Sequence, residues 1–157
     1  MTETEAGLLL TDELWIVVGV TVAAVMACVF LHFEVLRLAS DFLPAPKHHR
    51  RRRIAYLILC ILMLHVVEIW IFGIAYYGLL QYEDYGTLVG MNPVTLFDCV
   101  YYSAVVFSTL GFGDIVPDGL IRLVTGMESI AGLTLITWSA SYTYVSMNRS
   151  WVEGEDG

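Results

Sequence analysis

Residues 14–33 are twenty consecutive positions with no Asp, Glu, Lys or Arg and one histidine, His32. A helix of that length is about 30 Å long, the thickness of the hydrocarbon layer of a bilayer. A second apolar run covers residues 54–80 and is broken by His65 and Glu68. A third, 123–145, is less apolar and carries Thr125, Glu128, Ser129, Thr134, Thr137, Ser139, Ser141 and Thr143. Lipid offers those polar groups no partner, so the third helix is expected to face protein or water. Three such runs in 157 residues leave room for little besides a membrane bundle. Composition agrees: 57% of residues are hydrophobic and 15% charged, where a soluble domain carries about 25% charged residues. A small globule cannot bury such an excess, because it hides only about two-thirds of its surface. An ordinary soluble enzyme, a disulfide scaffold and a disordered chain are excluded on this ground. Cys28, Cys60 and Cys99 are far apart and read as small buried hydrophobes. No Ser, His and Asp are placed to act together and no nucleotide motif or metal cluster stands out, so no enzyme activity and no organic cofactor are expected.

The net charge of −8 argues against nucleic acid as a partner. Five of the eight basic residues, Lys47, Arg50, Arg51, Arg52 and Arg53, fall within seven positions. Basic linkers stay on the cytoplasmic side, which puts the N-terminus and the loop 81–118 outside and the C-terminus inside. Arg149 agrees with that orientation and Arg122 is its exception. The same basic cluster is large enough to hold anionic lipid headgroups. The first thirteen residues hold four acids and no Lys or Arg, the reverse of a signal peptide's basic start.

Between the second and third runs, residues 94–107 are apolar but only fourteen long. That is too short to cross a bilayer and suits a re-entrant segment. Asn92-Pro93, with Thr95 three before Asp98, forms a helix-start signal of the capping-box type. The run leads into Thr109-Leu110-Gly111-Phe112-Gly113-Asp114, whose two glycines do not suit a helix. Irregular backbone at membrane depth survives where it lines a water-filled path or is buried in protein. Alternating glycines let successive carbonyls point one way, which L-residues resist. The carbonyls of Thr109 to Phe112, with the Thr109 hydroxyl, can then replace the water around a monovalent cation. The carboxyl end of the short helix adds partial negative charge there.

The stretch Ser108-Thr109-Leu110-Gly111-Phe112-Gly113-Asp114, with a helix from about Thr95 before it and Pro117 after it, resembles the potassium channel pore family. The resemblance covers roughly residues 54–147 and extends to small bacterial members with an added first helix. It implies an all-α membrane protein: three transmembrane helices plus a re-entrant pore helix and filter loop, assembled as a homotetrameric pore. The segments are then an outside N-terminus (1–13), an extra transmembrane helix (14–38), a basic cytoplasmic linker (39–53), the pore domain (54–147) and a short cytoplasmic tail (148–157). Within the pore domain the outer helix is 54–80, the pore helix 95–108, the filter 109–113 and the inner helix 119–147. Potassium ions would sit at Thr109, Leu110, Gly111 and Phe112, with Gly113 closing the filter. Ser108, Asp114 and Val105 stand at positions that support it. Leu110 and Phe112 replace the family's common Val and Tyr. Phe112 keeps the aromatic that goes with potassium selectivity but lacks the hydroxyl, and Val105 stands where some members place a glutamate. Gly132 falls at the family's hinge position, with close helix packing as its other use. Helical spacing from it sets Leu133, Ile136, Thr137, Ala140 and Tyr144 along an inner cavity. The implied location is the bacterial inner membrane, with the chain itself and lipid as partners.

Ionisable groups at membrane depth invite a function. His65 and Glu68 share a helix face, and Glu128 enters from the third helix to a similar depth. An isolated charge there costs about 2.5–3.5 kcal/mol. The three are expected to form either a proton-sensitive network or a static hydrogen-bonded staple. His32 and Glu34 read as snorkelling groups near the end of the first span, and Trp138 and Trp151 as packing and interface anchors. No helix carries the repeated Arg or Lys of an intrinsic voltage sensor. Beside a potassium-selective channel, background-like or modulated by protons or lipid, two alternatives remain open: a weakly selective monovalent cation channel, and a non-conducting structural or regulatory subunit.

Overall fold

The computed structural model describes residues 12–42, 50–91 and 93–155. Helix α1 runs Asp12–Phe42 and α2 Arg50–Leu79. A 3-10 turn, Glu83–Tyr85, leads to strand β1, Thr87–Val89. Helix α3 is Leu96–Phe107, strand β2 is Val116–Asp118, and α4 is Ile121–Glu155. Among the described residues, two helices contain stretches long and apolar enough to cross a membrane, Asp12–Ala39 and Ile54–Leu79, and α3 is too short. At 35 residues α4 has ample length, and its polar side chains give it the less apolar character already visible in the sequence.

The element boundaries differ from the expected ones. The extra helix continues to Phe42 and the outer helix starts at Arg50, so the linker 39–53 contributes a turn to each. Arg50 to Arg53 open α2, with Arg52 exposed, and Lys47 lies outside the described residues. The tail expected from residue 148 is helical to Glu155. The chain is mostly helical, as expected, with one short addition: β1 and β2 form an antiparallel ribbon, pairing Thr87 with Asp118, Leu88 with Pro117 and Val89 with Val116. It closes the loop on both sides of α3 and fixes where the chain enters α4. Gly86 and Gly119, both left-handed, let the two backbones meet beside it, because a Cβ on Gly119 would sit 2.7 Å from the Gly86 Cα.

The first helix packs on its own chain's α2 and α4, and α3 packs between α2 and α4. One core gathers Phe72, Tyr76, Cys99, Tyr102, Phe107, Ile121, Val124 and Leu135, with Val17, Ala24 and Cys28 contributed by α1. A smaller cluster, Leu36, Leu57 and Ile61, lies nearer the α1–α2 connection and is covered by Tyr142. Cys60, in contrast with the other two cysteines, is exposed.

Two glycines let α3 sit this deep. A Cβ on Gly73 would lie 2.9 Å from the Val100 Cα, and one on Gly132 would lie 2.8 Å from the Phe107 carbonyl carbon and closer still to its oxygen. Gly132 therefore has a definite packing use, pressing α4 against the last residue of α3, and α4 runs through it unbroken. Gly126, two turns earlier, has nothing within 4 Å of the same position.

This contrast gives a paired expectation. Gly132→Ala overpacks the α3–α4 contact and costs about 1–3 kcal/mol. Gly126→Ala is neutral or gains about 0.5–1 kcal/mol from helix propensity. Thermal unfolding of the detergent-solubilised protein separates the two; equal melting temperatures would remove the packing role from Gly132.

Candidate functional site

Helix α3 is short because both its ends are specified. At its start the Thr95 side chain accepts from the Asp98 amide, and Asp98 accepts from the Thr95 amide at 2.8 Å and its hydroxyl at 2.7 Å. These bonds satisfy donors that a helix start leaves open. They also hold the exposed Asp98 carboxyl below its ordinary range. At the other end the Ser108 hydroxyl bonds back to the Ala104 carbonyl at 2.7 Å.

The chain then folds back under its own helix. The Thr109 amide donates to the Val106 carbonyl at 2.9 Å, and the Leu110 and Gly111 amides both donate to the Val105 carbonyl, at 3.0 and 3.4 Å. Thr109, Gly111 and Gly113 are left-handed, with φ of 57°, 57° and 78°. Left-handed residues thus alternate with Leu110 and Phe112, whose side chains are 57% and 63% exposed. Thr109 adopts this conformation without being glycine, at a cost of roughly 1–2 kcal/mol. Every residue from Ser108 to Asp114 is exposed in the single chain, and buried Ile115 follows.

Two supports of this segment were not apparent from the residue types. Val105 brings no side-chain donor, but its backbone carbonyl holds Leu110 and Gly111. Phe112 has no hydroxyl, but Tyr101 supplies one from α3, donating to the Asp114 carboxylate at 2.8 Å. That bond raises the Tyr101 phenol above its usual range, since the carboxylate disfavours a second negative charge. Tyr101 and Asp114 are thirteen residues apart, and only the fold-back of the loop brings them together.

The three ionisable residues expected to act together are divided between two clusters. Glu68, fully buried, meets His65 Nδ1 at 2.8 Å and His32 Nδ1 at 2.9 Å. His32 Nε2 lies 3.2 Å from the Ser139 Oγ. This corrects the snorkelling role given to His32: its side chain is fully buried and joins α1 to α2 and α4. Glu34 does reach the surface, where it pairs with Arg37 at 3.3 Å. The Trp138 ring packs on His32 with centroids 5.2 Å apart.

Glu128 belongs to the second cluster. The Tyr76 hydroxyl donates to it at 2.7 Å, and the Ser103 hydroxyl approaches its other oxygen closely. Ser103 Oγ is also 2.9 Å from the Ile69 carbonyl. Thr125 completes the group, 3.2 Å from the Tyr76 hydroxyl and 3.0 Å from that of Tyr102. Among the described residues, every buried side-chain nitrogen and oxygen has a hydrogen-bond partner.

Along α4, Leu133, Ile136, Thr137, Ala140 and Tyr144 are exposed in the single chain, whereas Gly132 is buried against Phe107. The stripe expected to face one cavity therefore lies on one open side of the helix, and its first residue turns toward α3.

A family model described as "Ion channel" matches residues 55–148. The chain is also 38% identical over 77 residues to the uncharacterized membrane protein YdjJ of Bacillus subtilis (strain 168), covering 42% of this chain and 23% of that protein. It thus spans about a quarter of that relative's length. No solved structure matches the chain.

Two expectations follow from this geometry. Glu128→Ala leaves the buried Tyr76 and Ser103 hydroxyls without their shared acceptor and destabilises the fold by about 1–3 kcal/mol, read as a lower melting temperature that Tyr76→Phe partly restores. The depressed Asp98 carboxyl contributes stability in full above its ordinary value of 3.8 and loses it as pH falls through the lowered value. Thr95→Ala should therefore lower the melting temperature at pH 7, with the deficit shrinking in strong acid; a deficit independent of pH would assign the loss to something other than the capping carboxylate.

Proposed function

Because the chain belongs to the ion channel family, a family of membrane proteins and not of enzymes, we propose that it conducts potassium selectively through a pore built on Thr109 to Gly113. The observation that carries this reading is the alternation of left-handed backbone at Thr109, Gly111 and Gly113 directly after a short, capped helix. Such a backbone aims consecutive carbonyls to one side, as replacing the hydration shell of a monovalent cation requires. The α3 carboxyl end adds its dipole. An aromatic at 112 and the Tyr101–Asp114 bond favour a filter held at one diameter, and hence potassium over sodium.

One such segment is a quarter of a ring, so we propose a homotetramer with the filter on its axis. The exposed apolar residues Phe97, Ile130, Leu133 and Tyr144 then meet lipid or neighbouring subunits. The orientation is N-terminus outside and C-terminus cytoplasmic, with the basic segment Lys47 to Arg53 inside and available to anionic lipid headgroups.

The channel is of the background type, with proton modulation at Glu128 as a refinement. Tyr76 from α2, Ser103 and Tyr102 from α3, Thr125 on its own helix and Cys28 from α1 face this carboxyl. Ionised, it accepts from both Tyr76 and Ser103. Protonated, it donates, and the Ser103 hydroxyl turns to the Ile69 carbonyl already 2.9 Å away. The Ser103 hydroxyl then accepts from Glu128 and donates to Ile69, so the pore helix gains a firm bond to α2 while the α4 contact reverses direction.

The deciding experiment is the reversal potential of the purified protein in planar bilayers with potassium on one side and sodium on the other. A zero-current voltage near the potassium equilibrium potential is expected. A value near zero with real current makes it a weakly selective cation channel, and no current in any lipid makes it a non-conducting subunit. Gly113→Ala, strained at φ 78°, should abolish flux while leaving the oligomer intact; unchanged flux would remove residues 109–113 from the pathway.

A further inference from the structure

His32, His65 and Glu68 come from two helices, and each offers one donor atom within 4.8 Å of the others. The donor set is two imidazole nitrogens and a carboxylate oxygen. Zinc and similar divalent transition ions favour it, whereas calcium and magnesium prefer all-oxygen shells. The two imidazoles approach opposite oxygens of one carboxylate, at 2.9 and 2.8 Å. Tetrahedral zinc with bonds near 2.0–2.1 Å separates its ligand atoms by about 3.3 Å. The ion would be admitted by a rearrangement in which the two hydrogen-bonded contacts open by roughly half an ångström and the widest pair of donor atoms, within 4.8 Å, closes.

The surroundings suit a bound cation as well. His32 holds its second nitrogen 3.2 Å from Ser139 Oγ, the outer partner by which a ligating imidazole is oriented and its tautomer set. Trp138 covers His32, and the Phe107 ring stands 5.7 Å from His65. His32 and Glu68 are fully buried, while the His65 side chain is 15% exposed, so access is from the His65 side.

We propose that His32, His65 and Glu68 form a binding site for a divalent transition cation of the zinc type, which clamps the first helix to the pore-forming part of the chain. His32 precedes the matched residues 55–148, and Glu68 and His65 fall within them. Coordination uses the Nδ1 lone pair of each neutral imidazole, whose remaining proton sits on Nε2; on His32 that proton points to Ser139. A protonated imidazole gives its proton to water on binding. The remaining coordination position is left to water. The proposal does not depend on ion conduction, because its readouts are binding and stability.

The test uses the full-length protein, purified in detergent and stripped with chelator. Zinc is titrated while bound metal is counted after gel filtration, and cobalt(II) serves as the spectroscopic probe. Cys60→Ser with His48→Ala and His49→Ala serves as the background, which removes the exposed thiol and the histidines of the linker. One zinc per chain, a zinc-dependent rise in melting temperature and a visible cobalt spectrum are expected. Ser139→Ala should weaken binding about tenfold to a hundredfold. His32→Gln and His65→Gln, which keep a hydrogen-bonding side chain, should abolish the cobalt spectrum while retaining the helical circular dichroism of the parent. Binding that survives both Gln variants overturns the site. So does a melting temperature that responds to pH and not to zinc, which would make the triad a proton site only.

Discussion

A carboxylate carried from water into the apolar middle of a helix bundle must find donors or a proton, and neither Glu68 nor Glu128 finds its donors on its own helix alone. Glu68 draws His32 from α1, and through it Ser139 from α4. Glu128 draws Tyr76 from α2 and Ser103 from α3. Together the two groups fix the relative rotation of all four helices. Dispersion between apolar side chains offers little orientation, since lipid tails compete equally well for Leu and Val. Hydrogen bonds of defined direction supply it.

The short helix benefits most. It is capped by Thr95 and Asp98, seated against α2 at Gly73 and against α4 at Gly132, and tied to Glu128 through Ser103. Its last residue, Phe107, touches Gly132 with its backbone and faces His65 with its ring. The segment 108–114 leaves from that fixed point. Its carbonyl geometry therefore depends on where α4 and α2 stand, and a movement of either is felt where the left-handed backbone begins. This is a packing route between α4 and the segment 108–114, carried by contact.

Much of the fold was legible because the constraints are local or periodic. Length and hydropathy mark residues 14–33 and 54–80 as helices, the fourteen-residue run as too short to cross, and Thr95 with Asp98 as its cap. The alternation of glycines in 109–113 marks the irregular backbone, since few other residues tolerate it. The ribbon of Thr87–Val89 with Val116–Asp118 was not legible. Each strand is three residues long, too short for a period-two pattern to stand out. The burial of His32 was not legible for a related reason: position near a helix end suggests snorkelling, but which face a residue presents is set by the neighbouring helices.

The sequence by itself determined the membrane character, the succession of long and short helices and the irregular backbone of the 109–113 segment. Each follows from chain-local properties: length, hydropathy, and the steric freedom of glycine. Only the tertiary structure decided who meets whom. It parted Glu128 from Glu68, gave Glu68 the imidazole of a residue 36 positions earlier, set Tyr101 on Asp114 and pressed Gly132 onto Phe107. A directed hydrogen bond or a close backbone contact depends on helix rotation and depth to within an ångström, and those are properties of the packed bundle that no single helix contains.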